Sequence, residues 1–163
     1  MNGQAKKGAG FIFLAGIFNA SGSGERECNV PVGRGIFLPA MDVECSSFEE
    51  GTIFFGDDAE SLNRCLDAWS YTGDVRVDGV ATSVWGGRSD VYPIGPMPDP
   101  NLLGAPAGAE GLSMADGLYG VLPPLPAGHH QVEFSGTASY DGSLGGELFA
   151  FSLSMTYHLH VGG

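Results

Sequence analysis

The sequence predicts a mainly β fold, an antiparallel β-sandwich of immunoglobulin-like or jelly-roll-like form, with one short helix inserted between strands. Three observations lead there. Residues 149–161 alternate without a break: Phe149, Phe151, Leu153, Met155, Tyr157, Leu159 and Val161 against Ala150, Ser152, Ser154, Thr156, His158 and His160. Successive strand side chains point to opposite faces, so this run has an apolar face for a core and a polar face for solvent. The 27 Gly and 10 Pro are spread along the chain, which suits short strands joined by tight turns. Helical periodicity is confined to one segment. A length of 163 residues with 43% hydrophobic content suits a single domain over 1–163.

Taken in order, residues 1–9 read as a disordered or remnant leader segment. Lys6 and Lys7, the apolar run 9–18 and the small residues Ala20, Ser21 and Gly22 fit a signal peptide. Residues 11–18 also fit a buried strand, which their aromatic and β-branched content favours, and the run is too short to span a bilayer. After a turn at 21–24, a second strand over 26–32 ends at Pro31 and Gly33, and 35–41 makes a third. The acidic stretch 42–51 has no sustained periodicity and reads as a surface crossing. The helix is predicted over 58–69, capped by Asp57 with Glu60 three residues on, and Leu62, Cys65, Leu66 and Trp69 form its docking face.

Strand character resumes over 73–84 around a turn at Asp78 and Gly79. Residues 91–111 hold Pro93, Pro96, Pro98, Pro100 and Pro106, which predicts a long irregular loop. A short strand at 116–122, a Pro-rich turn, a strand at 130–138 with Val132 and Phe134 inward, and a turn at 141–146 lead into 149–161.

Several of these segments resemble a group of exported bacterial proteins of unknown function. They are Phe13-Leu14-Ala15-Gly16, the run from Cys28 to Pro39, Glu44-Cys45-Ser46, Leu62-Asn63-Arg64-Cys65, Val77-Asp78-Gly79, and Asp116-Gly117-Leu118-Tyr119 through Leu125-Pro126-Ala127-Gly128-His129-His130. The final two strands are similar to the end of bacterial immunoglobulin-like domains. The resemblance implies a secreted or cell-surface protein whose leader lies upstream of the segment like 11–18, and it assigns no activity.

Cys28, Cys45 and Cys65 lack zinc-ligand spacing, and an odd count leaves one thiol unpaired. In an exported chain one disulfide is expected. Cys65 faces the protein body from the helix, and the loop carrying Cys45 leads into that helix, so Cys45–Cys65 is the predicted pair with Cys28 buried and free. A cytoplasmic location would leave all three as packed thiols.

The 19 acidic residues against two Lys and five Arg give a net charge of -12, which repels a phosphate backbone and excludes nucleic acid as a partner. Asp74, Asp78, Asp99, Asn101, Asp116 and Asp141 lie in turns and loops where oxygens can meet calcium, yet no EF-hand spacing is present and turn formation explains them. Histidines offer the alternative. Outward residues of the last two strands must share a face, which places His129 opposite His158, with Ala138 opposite Phe149 and His160 two residues along. Three imidazoles on one face suit a transition metal, and a bare polar strand surface is the other reading.

Trp85 and Tyr92, with Arg88 between them, form a candidate ligand-binding set for a glycan or a peptide, against the simpler packing of loop aromatics on the sandwich. No G-x-S-x-G, Walker loop, dinucleotide fingerprint or H-E-x-x-H occurs. The sequence therefore points to a binding or structural role, with a glycan or protein partner met by loops around 85–104 and with no cofactor. The competing reading is a small metal protein or metal-dependent enzyme using His129, His158 and His160.

Overall fold

The apolar alternation read above resolves into strands in the computed structural model, which describes residues 10–17 and 22–162. Among the described residues the order is β1 (Phe11–Phe13), β2 (Gly22–Val30), β3 (Gly35–Ser46), α1 (Ala59–Asp67), β4 (Trp69–Val77), β5 (Val80–Thr82), β6 (Val84–Arg88), β7 (Tyr92–Ile94), β8 (Gly111–Leu122), β9 (Gly128–Tyr140) and β10 (Phe149–Val161). They form two packed sheets. Sheet A runs β1-β3-β8-β6 with β7 also on β8, and sheet B runs β2-β10-β9-β4-β5. This is the expected β-sandwich with one short helix.

Both sheets are mixed. β1 pairs in parallel with β3 and β2 in parallel with β10, while every other pair is antiparallel. β1 and β2 lie at sheet edges on either side of a crossing from sheet A to sheet B, so neither has to follow a hairpin into place. Segment 14–17 makes that crossing. Arg26 Nη1 and Nη2 donate to the Ala15 and Gly16 carbonyls at 2.8 and 3.0 Å, and the Tyr157 hydroxyl accepts from Ala15 N–H at 3.1 Å.

The core lies between the sheets. Ile36, Leu38 and Val43 of sheet A face Val75, Val132, Phe134, Met155 and Leu159 of sheet B, and all are buried. Gly73 and Gly136 stand opposite each other in β4 and β9, where β3 presses in: a Cβ on Gly136 would lie 2.5 Å from Met41 Cβ. The pair of bare positions brings the sheets to close contact.

Several boundaries differ from the sequence reading. Gly22 and Gly24, expected in a turn, belong to β2, and residues 18–21 of the expected first strand and turn lie outside the described residues. Residues 42–46, expected to cross the surface, continue β3. A bulge between Pro39 and Met41 shifts the inward positions from Leu38 and Ala40 to Met41 and Val43, which breaks period-two alternation along the sequence. Asp58, not Asp57, caps α1, and Ser61 rather than Glu60 completes the capping box. Trp69 is buried but begins β4, because α1 ends at Asp67. The long 91–111 loop is interrupted by β7.

The β4–β5 turn carries one ionic tie to β9. Asp78, at φ 50°, accepts from Gln131 N–H at 2.9 Å, and its other oxygen is 2.7 Å from His130 Nδ1. His130 Nε2 lies 3.0 Å from the Pro126 carbonyl oxygen. Both imidazole partners are acceptors, so the imidazolium is the form that satisfies both. The Asp78 hydrogen bond holds the His130 pKa above its ordinary value, and His130 in turn holds the Asp78 carboxyl below its own. A raised histidine pKa stabilises fully below the unfolded value of about 6.5 and is lost as pH climbs through the folded value. The lowered Asp78 value contributes above about 3.9 and fades as pH falls through it. Asp78 is half exposed, so the pair is worth about 1 kcal/mol or less. Thermal unfolding should show His130→Gln less stable than the parent near pH 6, with the gap closing by pH 9.

Candidate binding face on sheet A

Directly opposed residues of paired strands share a face, and in sheet A one such face carries a row of rings. Ile12, Ile36, Leu38 and Leu122 point into the core, which turns Phe13, Phe37, Tyr119 and Trp85 outward on four adjacent strands. Phe13 opposes Phe37, and Trp85 opposes Tyr119. Ring centroids are 5.6 Å apart for Phe13–Phe37, 5.4 Å for Phe37–Tyr119 and 5.3 Å for Trp85–Tyr119, so the row is continuous across the sheet.

Its ends are open: Phe13 is 55% exposed and Trp85 48%. Gly87 lies beside Trp85, where a Cβ would meet the indole at 2.3 Å, so glycine lets the ring lie along its own strand. Burial, then the charges of Asp42 and Asp116, push the Tyr119 phenol well above its ordinary pKa, so it stays a hydrogen-bond donor at neutral pH.

The predicted set of Trp85, Arg88 and Tyr92 is not held together. Trp85 joins the row, whereas Arg88, an odd number of residues away, points to the opposite face. There its Nη2 donates to Asp116 Oδ2 at 2.7 Å and its Nη1 to Asp67 Oδ1 at 2.8 Å and Asn63 Oδ1 at 3.0 Å, tying α1 to β6 and β8. Tyr92 is half-buried on β7; Ser113 Oγ donates to its hydroxyl at 3.2 Å and also contacts Glu44. Phe13, Phe37 and Tyr119 were not singled out by sequence reasoning. The signal available was the alternation of Ile36 and Leu38 against Phe37 and Pro39.

The histidines lie on the outer face of sheet B. The register differs from the expected one by two residues: His129 opposes His160 and Tyr140 opposes Phe149, while His158 faces Gln131. The shared face was right, because a slip of two preserves it. His129 and His160 meet edge to face with centroids 4.5 Å apart. β2 then supplies an acid to each of the two β10 rings: His158 Nε2 is 2.6 Å from Glu25 Oε1, and His160 Nε2 contacts Glu27. Among the described residues no group of three His, Cys, Asp or Glu is arranged to hold a metal ion.

Cys45 and Cys65 are bonded, linking β3 to α1, as the helix face predicted. Cys28 is free but half-buried rather than buried, on an edge strand, and burial raises its pKa. Of the acids expected in turns and loops, Asp74 lies instead in β4, where it accepts from Ser135 Oγ of β9 at 2.9 Å, and Asp116 in β8, whereas Asp141 accepts from Ser143 N–H at 2.8 Å in its turn.

No family model matches the chain, and no curated protein matches it. Among solved structures, a chain of "Structure of PbICP-C in complex with falcipain-2" is similar over 92% of this chain and 98% of its own, at 9% identity and a TM-score of 0.29. Likeness at that level bears on neither family nor ligand.

Proposed function

We propose that the protein is an exported binding module that holds a glycan chain along the aromatic row of sheet A. The observation that carries this reading is the unbroken line of Phe13, Phe37, Tyr119 and Trp85 on a solvent-facing sheet surface. A sugar ring has an apolar C–H face and a rim of hydroxyls. The first stacks on an exposed ring, and the second finds a donor and acceptor at its margin in the Tyr119 hydroxyl. A neutral chain is also compatible with a net charge of -12, which opposes self-association through this face. The Cys45–Cys65 bond fits an oxidising compartment, and no described helix is long and apolar enough to cross a membrane.

Retention on insoluble cellulose, xylan and chitin tests the proposal. The parent protein should be held by at least one of the three, and Trp85→Ala should weaken retention about tenfold, the equivalent of ~1.4 kcal/mol for one stacked ring. Trp85 is exposed, so the substitution should leave the unfolding temperature nearly unchanged. Equal retention of the parent and Trp85→Ala, or passage of the folded parent through all three, would refute it.

A further inference from the structure

The open edge of β3 is a second site. β1 covers that edge only as far as Phe37, where Leu14 N–H donates to the Phe37 carbonyl at 2.9 Å before the chain turns away to sheet B. At the far end, Ser46 turns to the same side: its N–H donates to Phe54 O at 3.0 Å, and its carbonyl accepts from Gly56 N–H at 3.2 Å. Hydrogen-bonding direction alternates along an antiparallel strand, so Glu44 and Asp42, two and four residues back from Ser46, present their N–H and C=O to this side as well. Ala115, opposite Glu44, agrees: its own N–H and C=O bond to Ser89, at 3.1 and 2.9 Å, instead of to β3. Among the described residues no strand lies along β3 from Pro39 to Cys45 on this side.

Beside this edge runs a groove of about 580 Å³ with apolar walls from Ile17, Phe54, Leu102, Leu103, Phe149 and Phe151. Asp42, Glu44 and Glu49 bring three carboxylates to it. None of them is ion-paired with a described cation. Burial, and then the charge of Glu44, push Asp42 up to about 6, and burial raises Glu49 as well. An occupant has to bond to a strand edge, fill an apolar groove and bring positive charge.

We propose that an extended peptide segment of a partner protein adds to the free edge of β3 between Pro39 and Glu44, alternating basic and apolar side chains. Alternate side chains of an added strand point to opposite faces. The basic ones then meet Asp42 and Glu44 on the outer face, while the apolar ones enter the groove beside Phe149 and Phe151. The edge is the kind of surface on which strand addition occurs, and the carboxylates select against neutral or acidic strands. This site does not depend on the aromatic row.

The test uses a fluorescein-labelled peptide of alternating valine and lysine, read by anisotropy against the full chain. A version with glutamate for lysine and a version N-methylated along its backbone serve as comparisons. The lysine peptide should bind, and both comparison peptides should bind at least tenfold more weakly. Asp42→Asn and Glu44→Gln should each lower its affinity about tenfold while leaving the far-ultraviolet spectrum unchanged. Lowering the pH from 7 to 5 should weaken binding as Asp42 takes up a proton. Equal binding of the N-methylated peptide, equal binding of the glutamate peptide, indifference to both substitutions, or no binding by the folded protein would each overturn the proposal. Glu44→Gln keeps the test decisive if Asp42→Asn alters the fold.

Discussion

Removing the Cys45–Cys65 bond is expected to lower the unfolding free energy by about 3 kcal/mol, the chain-entropy value for a loop of this size. The two cysteines are 20 residues apart, and both are buried, one on the inner face of β3 and the other on the docking face of α1. In the reduced chain the intervening segment, with its turns and Phe54, gains freedom in the unfolded state and none in the folded one. For a domain of this length, 3 kcal/mol corresponds to a fall in unfolding temperature of roughly 6–12 °C. The folded state should survive the loss, because Leu62 and Leu66 remain buried and Arg88 still ties α1 to sheet A through Asp67 and Asn63. Thermal unfolding should show the fall both on adding reductant to the parent and in Cys65→Ala. An unchanged unfolding temperature would mean that the bond does not constrain this loop in solution.

A methyl group at Gly136 should cost about as much. Its Cβ would sit 2.5 Å from Met41 Cβ and 2.8 Å from the carbonyl oxygens of Ala40 and Thr72. None of these is the tip of a flexible side chain, so relief requires the sheets to part or the β3 bulge to move. Overpacking of well-packed sites costs about 1–3 kcal/mol, and Gly136→Ala should fall at or above the upper end. Gly86→Ala is the matched comparison: its nearest atom is 3.8 Å away, and its effect should stay within about 0.5 kcal/mol. Urea unfolding of the two variants measures the difference. Equal stability would show that β3 and β9 do not approach as closely as described.

What the sequence could reveal follows the range over which each signal acts. Residues 149–161 were readable to their ends because seven inward side chains never break step, and β10 spans that run. Their pairing with β9 was readable in parity but not in register. Two registers that differ by two residues place the same side chains on the same faces, and the turn between the strands decides between them. The end of β3 was lost for a different reason. The bulge at Ala40 shifts the phase by one residue, so Asp42 and Glu44, outward on a strand, read as a charged loop. That one misreading concealed the free edge and its groove. Nor could the aromatic row be seen, since Phe13, Phe37, Trp85 and Tyr119 become neighbours only when the order β1-β3-β8-β6 is known. The separation of Trp85 from Arg88 was within reach, because three residues along a strand reverse the face. By contrast, the helix face that paired Cys45 with Cys65 rests on local periodicity and survived the shift of its cap from Asp57 to Asp58.

Glycan binding by the outer face of sheet A can be followed at the two indole N–H signals of the protein by nitrogen-labelled NMR. Trp69 is buried and Trp85 is 48% exposed, so the two are distinguished by exchange with solvent before any ligand is added. During titration with soluble cello-, xylo- and chito-oligosaccharides, the Trp85 signal should shift saturably with at least one series while the Trp69 signal stays in place. A Trp85 signal that stays fixed through all three series, or a shift confined to Trp69, would rule out glycan binding along this face.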